Sequence, residues 1–149
     1  MAKAAKGLQQ GLQKTLVRPV EFRRTIAHYD RRLPPVLSTP SMIGQMEVAA
    51  TMLLQPFLPR GAMSVGTHIN VSHLATARFG ERLRVTAELD HIYHPKNSGR
   101  LRYVFNVEAR VGKRLVGAGT VERAVVAHAA FSAHNKPKRP RGRGRAKRR

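Results

Sequence analysis

The sequence predicts an α+β fold in which an antiparallel β-sheet wraps around one long central helix. Three observations carry this reading. In "STPSMIGQMEVAATMLLQPFLP", residues 38–59, apolar side chains recur at three- and four-residue steps, the period of a helix with one buried stripe. Four later segments alternate apolar and polar residues, which gives each strand one buried face, as in an antiparallel sheet. The order is strand, helix, then four strands, and the economical packing of that order is one sheet curled on one helix.

Taken along the chain, residues 1–14 have weak periodicity and read as a flexible basic N-terminus. "TLVRPVEFRRTI" (15–26) reads as a strand interrupted by Pro19, which confines it to an edge. Residues 27–38 contain "RRLPP" and read as loop. Thr39-Pro40 predicts the helix start, with threonine as N-cap and proline at the first helical position. Ile43, Met46, Ala50, Leu53, Leu54 and Phe57 form its stripe, and Pro56 and Pro59 end it near residues 55–58. In "MSVGTHINVSH" (63–73), Val65, Thr67, Ile69, Val71 and His73 fall on one face. Residues 81–93 and 100–111 follow as strands joined through "HPKNSG": Leu83, Val85, Ala87 and Leu89 alternate with polar residues in the first, and Leu101, Tyr103, Phe105, Val107 and Ala109 in the second. The last strand, 114–129, contains Gly117 and Gly119, which mark a bulge or a close backbone approach. One such sheet covers only part of the helix and leaves edges to protect, which predicts a homodimer or a higher oligomer. Residues 15–134 are thus expected to form the folded domain, and 135–149 a disordered basic tail.

The chain has 149 residues and 42% hydrophobic content, enough for one domain with a real core. It has no cysteine, which excludes disulfides, thiol catalysis and cysteine zinc sites. No apolar run reaches the roughly 18 residues needed to cross a bilayer. "MAKAAKGLQQGLQK" is basic but lacks the apolar stretch of a signal peptide, so a soluble, cytoplasmic protein is expected. The net charge is +20, and nine of the basic residues lie in the last 14, "KPKRPRGRGRAKRR". The rest of the chain remains basic, which suits anionic partners.

Glu47 is the only acid between Asp30 and Glu81, and helical geometry puts it at the rim of the apolar stripe. A rim glutamate paired with an arginine accounts for it as well as a catalytic carboxylate does. His73 lies in phase with Ile69 and Val71 at a strand end, where a ring oriented by a carboxylate would serve as a general base. Thr39 combines a hydroxyl with the positive end of a helix, a place where a developing oxyanion is stabilised. Thr39 and Glu47 stand about 12 Å apart along the helix axis at 1.5 Å per residue. Any link between them must run through long side chains, a histidine or a partner subunit. His91 and His94 have a metal-like spacing without a patterned third ligand. "GAG" precedes a strand rather than a helix and lacks the phosphate-loop pattern.

"LSTPSMIGQMEVAA", "SVGTHINVSHLATARFGERLRVTAEL" and "GAGTVERAVV" together resemble the fluoroacetyl-CoA-thioesterase-like branch of the hotdog-fold thioesterases, over residues 33–133. The resemblance implies a hotdog domain and a homodimer with active sites at the subunit interface. It implies hydrolysis of acyl-CoA thioesters to a carboxylic acid and free CoA, with no metal and no cofactor. It places the catalytic threonine, glutamate and histidine on Thr39, Glu47 and His73, and substrate-binding positions on Gly66 and Arg123. Two positions depart from the pattern. Pro40 stands where glycine is expected and removes one N–H from the helix start, and Leu33 stands where an aromatic residue helps to recognise fluorine. These departures point away from fluoroacetyl-CoA and leave the acyl group open.

A second class of function rests on the tail. Its cations would hold nucleic acid or another anionic surface through counterion release, without aromatic residues to stack on bases. In that reading the domain is a noncatalytic acyl-CoA-binding or nucleic-acid-binding hotdog protein.

Overall fold

The structure is a computed structural model that describes residues 4–134, so the tail expectation for 135–149 lies outside the described residues. Five strands form one antiparallel sheet: β1 (Gln13–Pro19), β2 (Ala62–His73), β3 (Arg82–Tyr93), β4 (Arg102–Val111) and β5 (Arg114–Ala127). Their order is β1-β3-β4-β5-β2, which leaves β1 and β2 at the edges. The long helix α1 (Thr39–Leu54) packs on one face of the sheet, and a short helix α2 (His128–His134) follows β5. This is the helix-wrapped antiparallel sheet that the alternation and the helical stripe predict. Among the described residues, no helix is long and apolar enough to cross a membrane.

The core is the buried face of α1 against the inward side chains of the sheet. Met42, Met46, Ala49, Ala50, Leu53 and Leu54 meet Leu83, Val85, Ala87, Leu89, Phe105, Val107 and Val121. Fully burying one of the larger of these side chains contributes about 1.5–3 kcal/mol. The stripe is rotated slightly from its sequence reading. Met42, Gln45 and Ala49 are buried, while Ile43 and Phe57 are only half-buried. Regular helix stops at Leu54, and Gln55–Phe57 continues as a 3-10 turn around Pro56.

Several boundaries differ from the sequence expectation. β1 runs Gln13–Pro19 and ends at its proline, and residues after it form two 3-10 turns, Phe22–Arg24 and Ile26–His28, instead of continuing the strand. Ahead of β1, Ala5 and Leu8 pack against the core, and Gly11 donates its N–H to the Leu89 carbonyl at 2.8 Å. The helix N-cap is Ser38, not Thr39. Ser38 has extended backbone angles and its Oγ accepts from the Ser41 N–H at 3.3 Å. Thr39 and Pro40 then occupy the first turn, where a missing N–H costs nothing. β5 ends at Ala127 and the next residues enter α2.

Three register shifts shape the sheet, at Thr67 in β2, at Asp90 in β3 and at Val116 in β5. The Val116 bulge sits beside Gly117 and presents its carbonyl to the N–H groups of Leu74 and Ala75, at 2.7 and 3.2 Å. That anchors the chain leaving His73. A Cβ on Gly117 would stand 2.5 Å from Met42 Sδ, so the glycine lets the first half of α1 lie close to β5. A Cβ on Gly119 would collide with the Asn70 carbonyl. Both glycines therefore mark close approaches, one of them next to a bulge.

Candidate active site

The bulge at Thr67 decides which side chains of β2 meet the helix. Gly66 pairs with Arg123 and His68 with Glu122, which leaves Thr67 as the extra residue. A bulge inserts one residue and reverses the alternation beyond it. Before it, Ser64 and Gly66 face α1; beyond it, Val71 and His73 do. Val65 and Thr67, read from sequence as sharing a face with His73, are therefore out of phase. Without the bulge, Gly66 and His73 would lie on opposite faces of the sheet.

At the start of α1, Thr39 Oγ1 and His73 Nδ1 are 2.8 Å apart. They border an open depression of about 410 Å³, completed by Leu74, Ala75 and Thr76. The other ring nitrogen, His73 Nε2, is buried and has no protein partner. Because Ser38 caps the helix, the Thr39 hydroxyl is free for this contact. Of the first-turn amides, Ser41 N–H is taken by Ser38, Pro40 has none, and Met42 N–H bonds the Ser38 carbonyl at 3.0 Å.

Two turns further along α1, Glu47 lies over Gly66. A Cβ at Gly66 would stand 2.5 Å from Glu47 Oε2, so only glycine leaves room for the carboxylate there. Arg123 Nη1 donates to Glu47 Oε2 in a short ion pair. Arg123 itself is 6% exposed and is held from behind: its Nε donates to Ser64 Oγ at 2.9 Å and its Nη2 to the Ser64 carbonyl at 3.1 Å. Glu47 Oε1 is buried without a partner. Glu47 and Gly66 line a second open depression, of about 510 Å³, with Thr67, His68 and Ile69.

Of the residues singled out from sequence, the structure thus brings together Thr39 with His73, and Glu47 with Gly66 and Arg123. It makes no Glu47–His73 hydrogen bond within the chain. The residue that sequence reasoning missed is Ser64. As a small polar residue in a strand it gives no signal of its own, and only the bulge reveals that it faces inward.

The family of fluoroacetyl-CoA-specific thioesterases (FlK) matches residues 20–129. A fluoroacetyl-CoA thioesterase of Streptantibioticus cattleyicolor is 38% identical over 109 residues, 73% of this chain and 74% of that protein. The chain belongs to this family. A solved structure of the fluoroacetyl-CoA thioesterase FlK superposes with a TM-score of 0.78 at 33% identity, covering 91% of this chain and all of that one. A Thermus thermophilus hypothetical protein described as a thioesterase superfamily member superposes at 0.77 with 26% identity, over 88% and 93% of the two chains. These neighbours share the hotdog architecture, and the fold of this FlK-family chain is a hotdog fold. Its α1, β2 and β5, which carry every residue of the two clusters, all lie inside the matched range.

Proposed function

We infer that the protein is an acyl-CoA thioesterase that uses Thr39, His73 and Glu47 at a site completed by a second subunit. Family membership supports thioester hydrolysis. The observation that carries the site is the contact between Thr39 Oγ1 and His73 Nδ1 beside the open depression. A hydroxyl paired with an imidazole is the arrangement of an activated nucleophile. Thr39 Oγ1 attacks the thioester carbonyl carbon while its proton passes to His73 Nδ1. The C–S bond breaks, the CoA thiolate takes up a proton, and water then releases the acid from Thr39. The Thr39 N–H and the Gly66 segment polarise the carbonyl during attack. Glu47 Oε1 activates the water.

The last step requires Glu47 near Thr39, and within one chain the two are about 12 Å apart along the helix. A second copy pairing on β2 removes that gap. β1 defends its edge with Lys14, Arg18 and Pro19, whereas β2 has no proline and no lysine, arginine or acid along Ala62–His73. Its middle, Gly66–Asn70, is exposed, and Ile69 is 46% exposed. An antiparallel pair with a twofold between Ile69 and Asn70 would set Gly66 opposite the partner subunit's His73. Glu47 of one protomer would then approach the Thr39–His73 pair of the other.

The test is release of free CoA from short, branched, aromatic and halogenated acyl-CoAs, followed with a thiol reagent. Wild type should turn over at least one of them. Thr39→Ala, His73→Ala and Glu47→Ala should each lower kcat/KM by roughly 100-fold or more. Wild-type rates in all three variants would remove the site.

A further inference from the structure

We propose that Arg123 and Ser64 are positioning residues that lock Glu47 by one oxygen, and that Arg123 does not bind the phosphates of CoA. The proposal rests on the thioesterase reading above and assigns a role inside that site.

The geometry of the guanidinium is the starting point. Each of its three nitrogens is engaged: Nε and Nη2 by the hydroxyl and carbonyl of Ser64, Nη1 by Glu47 Oε2. The side chain is 7% exposed, so no face of it reaches the solvent through which a nucleotide phosphate would arrive. Ser64 holds the planar fork from two sides, hydroxyl and backbone, and so fixes its rotation. A fork fixed in this way can meet only one carboxylate oxygen here. Oε2 is committed to it, and Oε1 is left buried and unpartnered beside the depression that Glu47 lines. The clamp thereby leaves Oε1 as the carboxylate oxygen with no partner of its own. The bulge at Thr67 makes this arrangement attainable, because it keeps Ser64 and Gly66 on the helix side without moving His73 away from it. Arginine suits the task better than lysine because its rigid fork binds two directions at once, where an ammonium is a single rotating point.

The experiment compares kcat and KM for an acyl-CoA and for the matching acyl-pantetheine thioester, which carries the same acyl group and no nucleotide phosphates. Wild type is measured first on both. Ser64→Ala deletes one oxygen and should lower kcat by about tenfold on both substrates. Arg123→Lys should lower kcat further, by the same factor on both, with KM nearly unchanged. Circular dichroism melting confirms that each protein is folded, and Ser64→Ala keeps the test alive if Arg123→Lys is not. A rise in KM confined to the CoA thioester in Arg123→Lys would show a phosphate ligand and overturn the proposal. Unchanged kcat in Ser64→Ala on both substrates would overturn the role of Ser64. Absence of wild-type turnover on every thioester would instead remove the thioesterase reading itself.

Discussion

The two clusters on α1 differ in how they are held. At the helix start, Thr39 and His73 share one hydrogen bond beside an open depression. Two turns on, Glu47, Arg123 and Ser64 interlock through three hydrogen bonds around a buried guanidinium. The first arrangement allows a proton to pass between Oγ1 and Nδ1. The second fixes a charged oxygen before any substrate arrives, as preorganised sites do. Damage to the first cluster should therefore cost chemistry alone, while damage to the second should cost chemistry and stability together.

The most demanding way to break this comparison is to ask whether the two clusters of one chain ever work together. His73→Ala and Glu47→Ala proteins are each expected to be inactive. If each site takes Glu47 from one protomer and Thr39–His73 from the other, half of the dimers formed after subunit exchange carry one intact site. Mixing the two inactive proteins should then restore about a quarter of wild-type activity per total site. No recovery after demonstrated exchange would place the whole site within one chain. Light scattering on the unmixed protein tests directly whether it is a dimer.

Much of this was legible in the sequence. Strict alternation located β3 and β4, because both strands bury one face without interruption over Leu83–Leu89 and Tyr103–Ala109. Glu47 stood out because a chain poor in acids placed one beside an apolar stripe. Other features were hidden for physical reasons. A bulge needs no unusual residue, so nothing in "SVGTHINVSH" announces that Ser64 and His73 face the same way. The N-cap shifted by one because "LSTPS" offers two adjacent hydroxyls, and proline is tolerated at either of the first helical positions. The partner of Glu47 was open to any of many arginines, and only strand register brings Arg123 opposite Gly66.

The difference in stability comes next in size. Arg123→Ala leaves the Glu47 carboxylate half-enclosed without its counter-charge, which costs on the order of 3 kcal/mol. In a chain of this size that lowers Tm by roughly 10 °C. Thr39→Ala and His73→Ala remove one exposed hydrogen bond and should shift Tm by only about 2 °C. Thermal melts of the three proteins would show the split, and equal losses would erase the distinction between a soft pair and a rigid clamp.

Gly66→Ala sharpens the same point with one methyl group. The backbone at Gly66 is not in the left-handed region, so alanine is tolerated conformationally. The added carbon meets the end of the Glu47 side chain, which must shift. A displacement of about 1 Å at a reacting group costs up to roughly 100-fold in rate. The variant should fold but melt below wild type as the Glu47–Arg123 pair is disturbed, while kcat falls, and an unchanged kcat would mean that Glu47 Oε1 needs no fixed position.

The smallest effect separates two neighbouring hydroxyls. Ser38 caps α1 through its Oγ, and Thr39 one residue later points to His73. Losing a serine N-cap costs about 1 kcal/mol. Ser38→Ala should therefore melt a few degrees below wild type, while kcat/KM stays within about twofold because no reacting atom is touched. Thr39→Ala should show the reverse, with stability kept and turnover lost. Thr39→Ser, which retains the hydroxyl, should keep most of the activity. Were Ser38→Ala to lose activity as deeply as Thr39→Ala, the hydroxyl at Thr39 would be acting through the helix end rather than on the thioester, and the softer of the two clusters would be structural after all.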